Sequence, residues 1–503
     1  MMSRIASEKY RSKVMSADDA ARFIKNGMNV GVSGFTGSGY PKAVPQALAK
    51  QIKEAHDKGE EFMIGVFTGA STSPELDGAL ADVDGIKLRM PYQSDPDMRK
   101  KINDGVSYYV DAHLSHSGPQ VWAGHYGKMD VAVIEVSQIK EDGKVIPSSS
   151  VGNNISWMRA ADKIILEVNA WQSEGLEGMH DIWYGVALPP NRQAIPILKA
   201  GDRIGQTWYD IPFEKVVAVV ETDDHDRNSP FKPLDEDSKK IAGYYLDFLV
   251  NEVKHGRLPE NLLPLQSGVG NIANAVLSGL LNSDFENLTS YTEVIQDGMV
   301  DLIDAGKLVA ASATAFSLSP EYATKMNDNA AEYAKTIILR QQDISNHPEP
   351  IRRLGVLACN GLIEADIYGN VNSTHIMGTK MQNGIGGSGD FTRNAYISAF
   401  VTPSTAKGGA ISAIVPMVSH HDHTEHDVHV IVTEQGLADL RGLAPRQRVK
   451  KIIDNCAHPD YREQLWDYYN RAEASVKSHH TPHILRECHD FHIRFLETGT
   501  MKA

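Results

Sequence analysis

A chain of 503 residues is too long for one ordinary hydrophobic core and suits two or three domains. Hydrophobic residues make up 42% and charged residues 23%, which excludes a disordered chain. Its 50 basic and 64 acidic residues leave a formal charge of −14, so nucleic acid and anionic membrane are repelled, and an anionic substrate needs a local positive or N–H-lined site.

Met1 to Met15 mixes Arg4, Glu8, Lys9, Arg11 and Lys13 with no apolar stretch, so it does not read as a secretory signal, and a cytoplasmic location is expected. Ser16 caps a helix carrying Ala20, Phe23 and Ile24 on one face. Val30 to Val32 is a short strand, followed by the Gly-rich loop Ser33-Gly-Phe-Thr-Gly-Ser-Gly-Tyr-Pro and a helix from about Lys42. Further strands are expected at Phe62–Phe67, Val131–Val136, Ile164–Val168 and Val216–Val220. Strands alternating with helical patterns indicate parallel α/β layers. The polar stretch from Glu221 to Pro233 reads as a linker or long functional loop, and Ser238 to Lys254 as an amphipathic helix. The expected domains are 1–234 and 235–503.

Two short passages echo each other. Ile24, Gly27, Val30 and Ser33 match Ile303, Gly306, Val309 and Ser312, and Asp142-Gly-Lys-Val matches Tyr368-Gly-Asn-Val. They suggest two related halves, although helix–glycine–strand junctions resemble one another in many proteins. No apolar run reaches membrane-spanning length. The three cysteines, Cys359, Cys456 and Cys488, lack C-x-x-C spacing, which disfavours a disulfide framework or cysteine zinc site.

Five places invite chemistry. Leu288 to Thr292 reads as a strand, and Ile295, Met299, Leu302 and Ile303 recur at helical spacing. Glu293 thus falls at the carboxyl end of a strand, where open α/β sheets bind ligands. It could be a nucleophile, or a helix-start carboxylate complementing the macrodipole. Gln266-Ser-Gly268-Val269-Gly270-Asn271-Ile272 places glycines before an apolar helix, offering N–H groups to an anion or oxyanion, or simply a turn. Asn383-Gly384-Ile-Gly386-Gly387-Ser-Gly389 contains G-x-G-x-x-G, but it follows a poor strand and lacks the downstream acid of a dinucleotide site. Lys407, in a small-residue loop, could neutralise a phosphate or be merely solvated. The loop His420 to His429 holds five histidines, but its spacing matches no zinc template, and a buried hydrogen-bonded loop is the favoured reading.

In order, Gln266-Ser-Gly-Val-Gly-Asn, Tyr291-Thr-Glu-Val-Ile-Gln-Asp-Gly, Ile363-Glu-Ala-Asp-Ile-Tyr-Gly-Asn-Val-Asn-Ser, Asn383-Gly-Ile-Gly-Gly-Ser-Gly-Asp-Phe and Val432-Thr-Glu-Gln-Gly-Leu-Ala-Asp-Leu-Arg-Gly closely resemble class I CoA-transferases of the acetyl-CoA hydrolase/transferase group. The resemblance covers nearly the whole chain, and within the group it is nearest to the succinyl-CoA:acetate transferases. It implies two related open α/β domains with the active site between them, commonly as a homodimer. It implies transfer of CoA from succinyl-CoA to acetate through an acyl-glutamyl anhydride and a glutamyl-CoA thioester on Glu293. Val269 and Gly387 would supply oxyanion N–H groups, and Asn346 would lie beside the nucleophile. Gly268, Val269, Gly270, Asn271, Ile272, Asn383, Gly387 and Lys407 would lie near CoA, and Arg227 would meet a substrate carboxylate. Glu434 sits in a family motif without an assigned role. CoA would be a substrate, with no resident cofactor or metal, and the partners would be acyl-CoA and short-chain carboxylates. Alternatives are an acetyl-CoA hydrolase, a transferase for another acid pair, a NAD-dependent oxidoreductase, and a CoA-binding sensor.

Overall fold

The computed structural model describes residues 4–227, 233–268 and 270–503. It divides into two compact units. One comprises Met1–Pro230 and Thr289–Leu354, the other Phe231–Leu288 and Gly355–Ala503. The chain crosses between them three times, after residues 230, 288 and 354, where a single division at 234/235 was expected. The chain returns for residues 289–354, so Glu293 belongs with the N-terminal unit rather than the C-terminal one.

The first unit holds three sets of paired strands. One runs in the order Tyr108–Tyr109, Ile86–Met90, Ile64–Phe67, Asn29–Val32, Val131–Ile139, Lys163–Asn169, Val216–Thr222, with every neighbour parallel. Val145–Pro147 pairs antiparallel with Val131–Ile139. Every residue of Val131–Ile139 is buried, as expected for a parallel strand covered on both faces. The helix Ala43–Asp57 turns Val44, Leu48 and Ile52 inward, and they pack with Val30, Ile64 and Val131. Ser16 caps the helix Ala17–Ala21, its Oγ accepting from Asp19 N at 3.1 Å.

The second sheet of this unit has the order Leu288–Tyr291, Leu308–Ala313, Ile337–Arg340, His180–Asp181. Val294–Gln296 forms a further strand, parallel to Ala315–Ser317, and only then does the helix Asp297–Asp304 begin. Ile295 is therefore a strand residue, not the first turn of the expected helix. The echo has a structural basis. Gly27 and Gly306 both turn helix into strand with left-handed φ of 81° and 73°, a conformation that costs glycine least.

In the second unit, Leu265–Ser267, Leu357–Gly361, Ile397–Val401 and Val430–Thr433 lie side by side and parallel, with Gly436–Asp439 antiparallel at the edge. Its core gathers Phe400 and Ile431 from these strands with Val449, Ile452 and Leu465 from the C-terminal helices. No helix among the described residues is long and apolar enough to cross a membrane. The three cysteines are buried and free.

Candidate active site

In the first unit the chemistry gathers where strands end. Glu293 lies in the two-residue turn between Leu288–Tyr291 and Val294–Gln296. Its backbone is pinned, because its carbonyl accepts from Thr314 N at 2.8 Å and Ala315 N at 3.2 Å, while Thr292 N donates to Ser312 O at 2.9 Å. Its partly buried carboxylate accepts one hydrogen bond, from Asn346 Nδ2 to Oε1 at 2.8 Å. Asn346 is itself fixed. It is fully buried, ends the short helix Gln342–Ser345, and its Oδ1 accepts from Ser345 Oγ at 2.9 Å. Tyr291 Oη holds that helix from below through Ile344 O at 2.7 Å.

Burial pushes the Glu293 carboxyl up to about 7, and the Asn346 amide, by favouring the charged form, opposes the rise. The result is a carboxylate with one fixed donor and poor solvation. A carboxylate in such a setting can act as a nucleophile on an activated carbonyl. Beside it, Val294 and Ala315 pack with Phe35, Ala70 and Leu114.

Arg227 lies in the same unit, at the end of the segment that follows the strand Val216–Thr222. It pairs with Glu75, whose other oxygen accepts from Tyr40 Oη at 3.0 Å. The Gly-rich loop connects the two places. Thr36 Oγ1 donates to Phe316 O at 2.9 Å in the strand beside Glu293, and Gly37 lies against the Arg227 carbonyl.

In the second unit the remaining candidates also follow strand ends. Gly268 leaves Leu265–Ser267, its N–H donating to Cys359 O at 2.9 Å. Gly270 caps the helix Asn271–Leu281, whose first turn holds Asn271 and Ile272. Val269 falls outside the described residues. Gly387 is buried and caps the helix Ser388–Asn394, with Asn383 in the loop before it. Gln266, Asn360 and Thr392 join these two glycine loops. Gln266 Nε2 donates to Asn360 Oδ1 at 3.1 Å, and Asn360 Nδ2 to Thr392 Oγ1 at 3.3 Å. The strand before Gly384 is two residues long and antiparallel to its neighbour, so the dinucleotide context is missing.

Lys407 stands exposed at the tip of the hairpin between Thr405–Ala406 and Ile411–Ser412, its Nζ 5.0 Å from the Phe495 ring centre. Glu434 acquires a structural role. Its carboxylate accepts from Ser404 N at 2.7 Å, from Ser404 Oγ, and from Gln435 Nε2 at 2.9 Å, so it fastens the base of that hairpin. The histidine loop is hydrogen-bonded, Asp422 accepting from Ser373 N at 2.7 Å and Thr374 Oγ1 at 2.8 Å. It is not buried throughout, since His423 is enclosed but His421 and His426 face solvent. Among the described residues no group of three or more His, Cys, Asp or Glu side chains is placed to hold a metal ion.

Residues 2–221 match the acetyl-CoA hydrolase/transferase N-terminal domain, and residues 323–469 match its C-terminal domain. The chain is 50% identical to the succinyl-CoA:acetate CoA-transferase of Clostridium kluyveri, across 99% of this chain and 92% of that one. The chain belongs to the acetyl-CoA hydrolase/transferase family. It is 45% identical to the acetyl-CoA hydrolase of Eremothecium gossypii, across 99% and 98% of the two chains. Its fold is similar to that of RipA from Yersinia pestis, with a TM-score of 0.73 at 25% identity, covering 92% of this chain and 98% of that one. As a family member it is an enzyme of CoA transfer or hydrolysis, acting on CoA thioesters.

This acetyl-CoA hydrolase/transferase also carries a buried charge cluster that sequence reasoning missed. Lys42 Nζ donates to Glu135 at 2.6 Å, to Asp226 at 2.8 Å and to Tyr40 O at 2.8 Å. Asp226 also accepts from Gly39 N at 3.2 Å, Ser149 Oγ at 2.6 Å and Gln172 Nε2 at 3.0 Å. Burial disfavours the ammonium, but Asp226 and Glu135 outweigh it and hold the Lys42 pKa above its ordinary value. Burial pushes Glu135 up to about 7 against the pull of Lys42. In the sequence Lys42 follows the Gly-rich loop 33–41 with nothing local to mark it as buried. Lys42→Met leaves two buried carboxylates without their cation and is expected to lower unfolding free energy by about 3–5 kcal/mol. Urea unfolding of both proteins checks this.

Proposed function

We propose that the enzyme transfers CoA between succinyl-CoA and acetate through a thioester on Glu293. The observation that carries this reading is the Glu293–Asn346 hydrogen bond. It orients a poorly solvated carboxylate that has no charged partner among the described residues. A Glu293 oxygen adds to the thioester carbonyl. The carbon–sulfur bond then breaks, giving an acyl-glutamyl anhydride and CoA thiolate. The thiolate adds to the glutamyl carbonyl of the anhydride and expels succinate, leaving glutamyl-CoA. Acetate then adds to that thioester, and the two steps run in reverse to release acetyl-CoA. No step needs a metal, because carboxylate, anhydride and thioester interconvert by addition and elimination alone.

Each addition places negative charge on a carbonyl oxygen. The N–H groups of Val269 and Gly387 are assigned to stabilise it. Gly268, Gly270, Asn271, Ile272 and Asn383 are assigned to CoA, with Lys407 neutralising part of its phosphate charge. Glu434 supports Lys407 by holding Ser404. Arg227 meets the distal carboxylate of a succinyl group.

The likeness to the Eremothecium acetyl-CoA hydrolase gives a second reading, in which water rather than acetate takes the acyl group. One experiment separates them. The enzyme is mixed with succinyl-CoA, its intact mass is measured, and borohydride reduction is followed by peptide mapping. The proposal expects an adduct of CoA mass, reduction at Glu293 and discharge by acetate. Free CoA released without acetate, and no adduct, supports hydrolysis instead.

A further inference from the structure

We infer that Glu75 sets the acyl-group preference of the enzyme by occupying Arg227 whenever the acyl group carries no second carboxylate. The inference rests on the assignment of Arg227 to the distal carboxylate of succinyl-CoA.

Three observations lead to it. First, Glu75 is the ion-pair partner of Arg227 among the described residues, while the Arg227 side chain keeps 55% of its surface exposed. A guanidinium has five N–H donors, so this one is neutralised yet still offers donors to an arriving anion. Second, both partners are held in place. Asp226, the residue before Arg227, is anchored in the buried cluster by Lys42, Ser149 and Gln172. A Cβ on Gly37 would come within 2.7 Å of the Arg227 carbonyl, so the loop and the Arg227 backbone fit closely. Glu75 lies in the short helical turn Pro74–Gly78. Its neighbour Asp77 in that turn is fastened by Arg89 Nε at 2.7 Å and by Thr72 Oγ1 at 2.7 Å. Third, Tyr40 Oη holds the remaining Glu75 oxygen, so this carboxylate is oriented rather than free to swing aside.

The consequence follows from charge. With an acetyl group bound, Arg227 remains paired with Glu75 and no uncompensated cation faces the acyl methyl. A succinyl group brings its own carboxylate, which must take Arg227 donors in the presence of an anchored like charge. Glu75 therefore acts as a built-in competitor for the dicarboxylic substrate. It holds the affinity for succinyl-CoA below what Arg227 alone would give.

The test compares kcat/KM for succinyl-CoA with kcat/KM for acetyl-CoA in the wild type, Glu75→Gln, Arg227→Ala and the double variant. Glu75→Gln keeps the hydrogen-bonding shape and removes the charge. It is expected to raise the succinyl-to-acetyl ratio on the order of fivefold, the scale of a partly exposed ion pair. Arg227→Ala is expected to lower that ratio at least tenfold, mainly through the KM for succinyl-CoA, and to erase the Glu75→Gln gain in the double variant. If Arg227→Ala leaves the ratio unchanged, the Arg227 assignment fails and takes this inference with it. If Arg227→Ala lowers the ratio but Glu75→Gln leaves it unchanged or lowers it, the assignment stands and the competition by Glu75 is overturned.

Discussion

Replacing Glu293 by alanine is expected to abolish exchange, with kcat for succinyl-CoA and acetate falling by a factor on the order of 10⁵. The size follows from the role proposed for it. Both covalent intermediates form on this one carboxylate, and without it succinyl-CoA and acetate must react directly or not at all. The same substitution removes little that would bind CoA. The CoA Kd, read by calorimetry, is therefore expected to change by less than about threefold, a fraction of the 1.4 kcal/mol that a tenfold change represents. Substantial residual turnover in the alanine variant would exclude the covalent route. Glu293→Asp keeps the charge but withdraws the attacking oxygen by one methylene from the position where Asn346 meets it. A displacement near 1 Å costs roughly a hundredfold.

The second large effect is expected at Asn346, and it appears in the pH profile as well as the rate. Burial holds the Glu293 pKa near 7, well above its ordinary 4.5, so ionising the nucleophile is harder than usual. The ionised form attacks. Activity is therefore present above the folded-state pKa and lost as pH falls through it, giving kcat/KM that climbs between about pH 6 and 8 and then levels. Asn346 donates to the charged form and so pulls that pKa down. Asn346→Ala removes the donor, moves the inflection to higher pH, and misorients the carboxylate, for a loss of roughly ten- to a hundredfold at pH 7. An unshifted inflection would mean that Asn346 does not govern the charge of Glu293.

Much of this site could be read before any coordinates. Leu288-Thr-Ser-Tyr read as a short strand, so Glu293 at a strand end was visible locally, as were the glycines ahead of the helix Asn271–Leu281. The misplacement of Ile295 has a definite cause. Ile295, Met299, Leu302 and Ile303 satisfy helical spacing, yet residues 294–296 find strand partners at 315–317, and pairing of that range overrides a local period. Distance in sequence hid the charge cluster altogether. Lys42 meets Glu135 and Asp226 across 93 and 184 residues, and Arg227 meets Glu75 across 152. No periodicity carries such information. Asn346, 53 residues from Glu293, was reached only through family resemblance.

One crossing between the two compact units, at 230/231, lies within the polar segment after Val220. The other two, at 288/289 and 354/355, have no compositional signal, since one falls inside a strand and the other just past a helix.

That interleaving has a consequence for synthesis of the chain. Residues 1–230 emerge from the ribosome well before the stretch 289–354 that completes their unit. Until then His180–Asp181 lacks its strand partner Leu339–Arg340, and Asp181 lacks the buried guanidinium of Arg340. The early product is thus a partly formed body with an open sheet edge, of the kind that recruits chaperones or associates with its copies. Glu293, the proposed nucleophile, arrives with the closing piece, so on that proposal the segment that supplies the chemistry is also the one that seals the fold, and a nascent chain cannot gain activity before it gains its full first unit.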